Sequence, residues 1–272
     1  MYKAICTDID GTLLNSERDL SKRTISTFKA LNKDIPVILA SSRMPAAMRH
    51  LQEKLGISTH PLICYNGGYL IDQDKVIKIV DSVTIPFSIA QDIAEWSAKT
   101  SLHASFYFED NWYAPQIDVW TEREMSNTKV KAHILTNSDL MSQWKPNENG
   151  AHKVMCMGEP VLIDELVQYL SERKAPLHLY RSKDTYLEIA PLQISKASAL
   201  NLLIKDKYNF SIDDVVAFGD NFNDIELLKE VGKGIAVANA RDELKAVADE
   251  ITDFAKNDGV AKAIEKHFLS FS

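Results

Sequence analysis

Two aspartates that are one residue apart, Asp8 and Asp10, follow the first apolar segment of the chain. At the carboxyl end of a buried parallel strand, both carboxylates would project into the crevice where such sheets bind ligands. Placing two anions there is costly unless a cation lies between them. Oxygen ligands favour a hard divalent metal, Mg²⁺ above all. The alternative is that the two aspartates only form a turn and cap a helix.

Three further polar segments follow or begin predicted elements. The segment Gly219–Asp224 follows an apolar strand and adds two acids at its end. The segment Ser41–Arg43 also follows an apolar strand, and it offers hydroxyls and amides just before a helix, which is a ready anion site. Lys196 lies at the start of a helix; taken alone, it would be a solvated surface lysine. Arg43 taken alone could equally form a salt bridge at a helix start.

Short apolar segments alternate with amphipathic ones at both ends of the chain. In the N-terminal part, the pattern predicts a helix after the N-cap Ser21, a second helix from Pro45, and strands at 2–7, 35–40 and 62–65. In the C-terminal part, it predicts strands at 215–218 and 235–237, and helices at 197–207, 225–231, 241–248 and 260–268. Strands that alternate with helices at these lengths predict a parallel α/β sheet.

The middle of the chain is organised differently. Helices are predicted at 88–99 and 161–173, and hairpins at 106–109 with 112–114 and at 177–181 with 186–189. All four tryptophans fall in this part: Trp96, Trp112, Trp120 and Trp144. Bunched strands and helices are typical of a smaller α+β domain. We therefore predict a core domain at residues 1–82 and 191–272, interrupted by an inserted domain at 83–190.

Composition excludes several classes of function. The 272 residues suffice for about two domains, and the net charge of -7 disfavours a nucleic-acid surface or a polybasic membrane anchor. The three cysteines, Cys6, Cys64 and Cys156, lie far apart in apolar segments, as reduced core residues do. Neither a leader peptide nor a long apolar span is visible, so we expect a cytoplasmic protein. We expect a monomer or a weak homo-oligomer.

Taken together, the polar segments resemble the motifs of the haloacid dehalogenase-like (HAD) superfamily, and more closely those of its Cof-type phosphatases. Asp8-Ile9-Asp10-Gly11-Thr12 is similar to the Asp-x-Asp-Gly-Thr first motif. Ser41 stands at the second motif and Lys196 at the third, while Gly219–Asp224 matches the Gly-Asp-x-x-Asn-Asp fourth motif. Asn66-Gly67-Gly68 is also similar to a Cof-type landmark.

This resemblance implies a Rossmann-like core with a type IIB cap that is inserted after the second motif and acts as a lid that sets specificity. It also implies that Asp8 attacks the substrate phosphorus to form an aspartyl-phosphate, which water then hydrolyses. Asp10 would protonate the leaving oxygen and later deprotonate the water. Asp8, the Asp10 backbone carbonyl and Asp220 would hold Mg²⁺, with Asp224 behind them as an orienting group.

The resemblance further assigns a set of contacts to the phosphoryl oxygens: Lys196, Ser41 and Asn223, together with Ile9, Ser42 and Arg43. Ser42 departs from the family, which usually has glycine there. Because a Cβ atom at this position could narrow the phosphate pocket, the amide contact of Ser42 is in question.

The predicted function is a Mg²⁺-dependent phosphatase that acts on a small phosphorylated metabolite, preferably a sugar phosphate. A phosphomutase shares the nucleophile and a similar cap, so it stays open as an alternative. A non-catalytic phosphate sensor also stays open, although the intact acids and Lys196 argue against it. A dehalogenase is disfavoured because Asp10 would have no role in its chemistry.

Overall fold

The computed structural model describes residues 2–270, which divide into two compact units. The first unit comprises the described residues up to Arg43, then Met48–Asp81, then those from Ser195 onward; the second comprises Met44–Ala47 and Ser82–Ile194. Among the described residues, no helix combines the length and the apolar character needed to cross a membrane.

The described residues form strands that we number along the chain as β1 (Ala4–Thr7), β2 (Val37–Ala40), β3 (Leu62–Cys64), β4 (Tyr69–Asp72), β5 (Lys78–Ser82), β6 (His103–Phe108), β7 (Asn111–Ala114), β8 (His133–Ile134), β9 (Lys153–Met157), β10 (Leu177–Lys183), β11 (Tyr186–Pro191), β12 (Val215–Gly219), β13 (Lys233–Ala236) and β14 (Glu250–Ile251). The α-helices are α1 (Lys22–Ala30), α2 (Ala46–Leu55), α3 (Phe87–Lys99), α4 (Val119–Thr128), α5 (Asn137–Trp144), α6 (Pro160–Glu172), α7 (Lys196–Lys207), α8 (Ile225–Glu230), α9 (Asp242–Lys245) and α10 (Gly259–Ile264).

The sheet of the first unit has the strand order β14-β13-β12-β1-β2-β3-β4-β5. Its strands from β14 to β3 pair in parallel, and β4 is antiparallel to β3. The central strand β1 is buried along its whole length because it lies between β2 and β12. Since parallel strands end at the same edge, the residues that follow β1, β2 and β12 emerge side by side. The predicted parallel α/β fold is confirmed.

The sheet of the second unit has the order β10-β11-β9-β6-β7-β8. Its strands pair antiparallel except for β7 and β8, which are parallel. Helices α3, α5 and α6 supply apolar side chains to a core that includes Phe106, Val154, Ile189, Leu140 and Leu166. Strands and helices bunched in this way give an α+β architecture.

Most predicted elements are present, with shifted ends. Ser21 caps α1 because its hydroxyl accepts a hydrogen bond from the Thr24 backbone amide at 2.9 Å. The prediction of one helix over 241–248 is wrong in length, since α9 covers four residues and the backbone turns after it. The predicted closing helix changes at Glu265–Leu269 into a π-helix. Strand β9 was not predicted, because a short apolar segment without clear alternation does not distinguish strand from helix.

Candidate active site

The first motif lies where three parallel strands end. The register pairs Thr7 of β1 with Phe218 of β12 and with Leu39 of β2. The backbone amide of Asp8 then donates to the Phe218 carbonyl at 3.0 Å, so the strand pairing extends to Asp8. Asp8 is therefore fixed by the sheet itself, and its side chain emerges beside the loops that follow β2 and β12.

Gly11 and Thr12 of the first motif position Asp220 of the fourth. Gly11 has a φ of +85°, and a Cβ atom built on it would lie 2.4 Å from the Asp220 Oδ2 atom. The Thr12 hydroxyl donates to Asp220 Oδ1 at 2.9 Å. Glycine is thus required for close approach, and threonine supplies the hydrogen bond. The contribution of Thr12 was not predicted, although its place in the motif was the signal for it.

Lys196 is almost completely buried and joins two carboxylates. Ser195 caps α7, so the helix begins at Lys196 and directs its side chain inward. The Lys196 Nζ atom donates to Asp8 Oδ1 at 2.6 Å and to Asp224 Oδ1 at 2.7 Å. Burial by itself would lower the pKa of Lys196, but the charges of Asp224 and Asp8 outweigh it and hold the pKa above its usual value. The solvated-lysine alternative is therefore wrong.

Both oxygens of Asp224 are engaged. Its Oδ1 atom accepts from Lys196, while Oδ2 accepts from the backbone amides of Asp220 at 3.0 Å and Asn221 at 3.1 Å. Gly219 leaves room for this arrangement, since a Cβ atom there would lie 2.5 Å from the Asp224 Cβ. Asp224 thereby shapes the loop that carries Asp220 and orients Lys196 at the same time.

Carboxylate oxygens of Asp8, Asp220 and Asp224 lie within 4.8 Å of one another. Burial raises the pKa of Asp8 well above its usual value, although the charge of Lys196 opposes this rise. Burial, followed by the charge of Asp224, raises the pKa of Asp220 to about 6. One ammonium cannot compensate three carboxylates, two buried and one half-buried, so the group has an excess of negative charge. Hard oxygen donors with uncompensated charge are the environment that a divalent cation requires, and the residues fit a metal.

The Asp10 side chain does not belong to this acidic group. The Arg43 guanidinium donates from Nε to Asp10 Oδ2 at 2.6 Å and from Nη2 to Oδ1 at 2.7 Å. Arg18 Nη2 donates to the same Oδ1 at 2.9 Å. Burial by itself would raise the pKa of Asp10, but the hydrogen bonds and charge of Arg43, with the charge of Arg18, lower it overall. The sequence left a salt bridge of Arg43 open but did not indicate Asp10 as its partner, and the ion pair of Arg18 was not predicted, since no spacing in the sequence indicates it.

The loop after β2 holds Ser41 firmly. Ser41 is 2% exposed, its backbone amide donates to the Ile63 carbonyl at 2.9 Å, and its hydroxyl accepts from the Arg43 amide at 3.3 Å. Ser42 is half-buried and is not among the described residues with left-handed backbone. The serine at this position therefore causes no backbone strain. The structure places the Arg43 side chain on Asp10.

Asn223 and Ile9 complete the set of predicted phosphate contacts. Asn223 Nδ2 donates to the Oδ1 atom of Asn66 at 2.9 Å. The Ile9 side chain is fully buried, and its carbonyl accepts from the amides of Leu13 and Leu14. A contact from Ile9 to a ligand must therefore come from its backbone amide.

Comparison with known proteins agrees with this geometry. A family model described as haloacid dehalogenase-like hydrolase matches residues 5–264. The 5-amino-6-(5-phospho-D-ribitylamino)uracil phosphatase YcsE of Bacillus subtilis is 30% identical over 98% of this chain and 96% of its own length. The solved structure of TM0651 from Thermotoga maritima is 28% identical, with a TM-score of 0.87 over 98% of this chain and 97% of that one. The HAD subclass IIB sugar phosphatase BT4131 shares the fold, with a TM-score of 0.79 and 20% identity over 97% of this chain and 98% of that one.

Proposed function

Because this chain belongs to the haloacid dehalogenase-like hydrolases and is a phosphoric monoester hydrolase, we propose that it is a Mg²⁺-dependent phosphatase of small phosphate monoesters that works through an aspartyl-phosphate on Asp8. The single observation that carries this proposal is the buried contact of Lys196 with Asp8 and Asp224 beside Asp220. A carboxylate that is held this rigidly, next to a site for a cation, is arranged as a nucleophile.

In the first half-reaction, a carboxylate oxygen of Asp8 attacks phosphorus, and the bond from phosphorus to the substrate alcohol breaks. The hydrogen bond from Lys196 to Asp8 Oδ1 fixes the orientation of the carboxylate for this attack. Asp10 supplies the proton that the departing alcohol oxygen needs. The products of this half-reaction are the free alcohol and a phosphoryl group on Asp8.

In the second half-reaction, Asp10 takes a proton from water, and the water oxygen attacks the phosphorus of the aspartyl-phosphate. The bond from Asp8 to phosphorus breaks, so inorganic phosphate leaves and the carboxylate is restored. Arg43 and Arg18 keep the Asp10 side chain out of the acidic group formed by Asp8, Asp220 and Asp224. The side chain is thereby kept from binding metal, and it must release one of these hydrogen bonds when it transfers a proton.

We propose that Mg²⁺ is held by Asp8, Asp220 and the Asp10 backbone carbonyl. Asp224 would orient these ligands without binding the metal itself. When bound there, the cation supplies charge neutralisation between the nucleophile and the anionic substrate. We propose that a set of polar groups binds the phosphoryl oxygens and stabilises their charge. These groups belong to Ser41, Lys196 and Asn223, together with Ser42, Arg43 and the Ile9 amide.

We propose sugar phosphates as the substrate class. A relative at 30% identity is named for a phosphate ester of a ribityl chain, which is a polyhydroxylated alcohol close to a sugar. The predicted inserted domain, residues 83–190, would carry the groups that distinguish one alcohol from another. A phosphate ester of such a polyol offers many hydroxyls for hydrogen bonding, which gives strong discrimination.

The first test is hydrolysis of para-nitrophenyl phosphate and a panel of metabolite phosphates, ranked by kcat/KM. We expect turnover with added Mg²⁺, loss of turnover with EDTA, and the highest kcat/KM among sugar phosphates. A preference for nucleotides or aromatic phosphates would contradict the substrate class alone. Transfer of the phosphoryl group to a second sugar hydroxyl would identify a phosphomutase, and absence of turnover on the whole panel would favour a sensor.

The second test captures the intermediate. With para-nitrophenyl phosphate, whose leaving group departs without the proton from Asp10, Asp10→Asn lacks only the base that activates water, so the phosphoryl group should accumulate on Asp8 and be retained on acid quenching. Mass spectrometry of the peptide that contains Asp8 would show the added phosphoryl group. Asp8→Asn is the matched control, which must stay unlabelled. A phosphoryl group found elsewhere in the chain would contradict an aspartyl-phosphate on Asp8. The absence of a phosphoryl group from Asp10→Asn during turnover would contradict it as well.

A further inference from the structure

The turn that follows β3 has an unusual backbone. Tyr65, Asn66 and Gly67 have consecutive positive φ values of 52°, 57° and 107°. Left-handed backbone at a residue other than glycine costs of the order of 1 kcal/mol or more. Tyr65 and Asn66 are nevertheless both buried, at 1% and 5% exposure. The surrounding contacts therefore hold the turn in this form.

Those contacts connect the turn to three segments of the proposed phosphate site. The Asn66 amide donates to the Ser41 carbonyl at 2.9 Å, and the Tyr65 amide donates to the Arg43 carbonyl at 3.2 Å. Gly67 packs closely against the carbonyl of Ser195, the residue directly before Lys196. A Cβ atom on Gly67 would lie 2.3 Å from that carbonyl oxygen, so only glycine fits there. The side chain of Asn66 makes the third connection, since its Oδ1 atom accepts from Asn223 Nδ2 at 2.9 Å.

The contact with Asn66 decides which end of the Asn223 amide is presented. An asparagine amide has two N–H donors at one end and a carbonyl acceptor at the other. With one N–H bound to Asn66, the second N–H of Asn223 is left to donate. With the Asn66 amide oriented as it is, reversing the Asn223 amide would place its oxygen against the oxygen of Asn66 and against a phosphoryl oxygen. Asn66 therefore selects the orientation that can bind an anion.

We propose that Asn66 is a positioning residue for phosphate binding, which acts by fixing the Asn223 amide with its N–H donors toward the phosphoryl group. This inference rests on the proposed function, in which Asn223 contacts the phosphoryl group. Asparagine suits both demands of the position, because it tolerates left-handed backbone better than most residues and carries a side-chain acceptor. Glycine would satisfy the backbone and leave Asn223 without its anchor.

The test is a double-mutant cycle with Asn66→Gly, Asn223→Ala and the double variant. Glycine keeps the left-handed turn, so Asn66→Gly should fold, and its melting temperature shows how much of any loss comes from stability rather than from positioning. We expect kcat/KM to fall about tenfold in each single variant, which corresponds to the loss of one hydrogen bond. If Asn66 acts through Asn223, the double variant should be no worse than Asn223→Ala alone. Glu148→Gly, which changes a residue with a φ of 50° in the second unit, is the control that should retain wild-type kinetics.

Binding of inorganic phosphate in the presence of Mg²⁺, measured by titration calorimetry, separates this inference from the function on which it rests. Asn66→Gly and Asn223→Ala should weaken phosphate binding to the same degree, whether or not the enzyme hydrolyses a given ester. Additive losses in the double variant would overturn the role of Asn66, as would phosphate binding that Asn66→Gly leaves unchanged. If the wild type binds phosphate and hydrolyses no ester, the proposed function fails, while the same three variants compared by phosphate binding still test Asn66.

Discussion

Each compact unit buries a lysine, and the two lysines have different surroundings. In the first unit, the Lys196 ammonium lies 2.6 Å from Asp8 and 2.7 Å from Asp224. In the second unit, the Lys153 ammonium lies 3.8 Å from the Glu188 carboxylate and 4.6 Å from the centre of the Tyr107 ring. Lys196 belongs to a group with excess negative charge, whereas Lys153 lies over the face of an aromatic ring.

The two sheets account for this difference. In the parallel sheet of the first unit, several strands end at the same edge. Acids that are distant in sequence therefore meet there and need a cation between them. In the antiparallel sheet of the second unit, Tyr107 lies opposite Lys153 on the neighbouring strand. Such cross-strand pairs stabilise the sheet individually and do not accumulate charge. A buried lysine therefore indicates a reactive site when several carboxylates surround it.

The largest expected effect is the loss of activity in Asp8→Asn. Asparagine has nearly the same shape but no nucleophilic carboxylate, so kcat should fall at least about a thousandfold. Because burial raises the pKa of Asp8, removing its charge should leave metal-free stability unchanged or increased. Steady-state kinetics and calorimetric unfolding with EDTA check the two parts. A variant that retains activity would contradict the role of Asp8, and one that unfolds early would contradict the excess of negative charge.

Lys196→Met should give the next largest effect, on stability. Methionine fills the space of the side chain but leaves Asp8 and Asp224 buried without their cation, which costs about 3–5 kcal/mol. Far-UV circular dichroism during heating measures the loss. Tryptophan fluorescence provides a control for the second unit, since all four tryptophans lie there. A melting temperature equal to that of the wild type would show that Lys196 is not needed to compensate these carboxylates.

Acid should weaken the second unit through His152. The imidazole is fully buried against the Phe108 ring, and burial lowers its pKa from 6.5 to about 4, although the Val83 carbonyl opposes this. In the unfolded chain His152 takes up a proton below pH 6.5, whereas the folded form stays neutral down to about pH 4. The free energy of unfolding should therefore decrease as the pH falls from about 6.5 to about 4. At about pH 5 the decrease is about 2 kcal/mol.

Urea unfolding followed by tryptophan fluorescence, at neutral pH and at about pH 5, measures this effect. The comparison is between the wild type and His152→Gln, which lacks the titrating ring. The difference in unfolding free energy between the two pH values should be smaller in the variant by about 2 kcal/mol. Equal pH dependence in both proteins would contradict the role of His152.

The smallest effect is expected for Lys153→Met, which sharpens the comparison of the two lysines. A buried cation over an aromatic ring contributes about 2 kcal/mol, and methionine keeps the apolar part of the contact with Tyr107. Its unfolding free energy, measured by the same fluorescence assay, should therefore fall less than that of Lys196→Met. A loss as large as in Lys196→Met would show that Glu188 and Lys153 form a strong ion pair despite their separation of 3.8 Å.

Much of the first unit could be predicted from local patterns. Apolar segments of four to six residues predicted β1, β2 and β12, and Ser21 and Ser195 mark helix starts by their capping chemistry. Helix α4 was missed because its polar face outweighs its few buried residues. The π-helix Glu265–Leu269 was missed because its sequence pattern differs little from that of an ordinary helix.

Lys196, at a helix start, was assigned to the site by resemblance alone, whereas the sequence by itself determined which residue types stand at the ends of the parallel strands, and therefore that Asp8, Ser41 and Asp220 belong to one site. This follows because parallel strands must end at the same edge of their sheet. Only the tertiary structure decided which side chains become partners: Asp10 with Arg43 and Arg18, and Asn223 with Asn66. Those pairings depend on loop backbones such as the left-handed turn after β3, whose form is held by long-range contacts that no local pattern encodes.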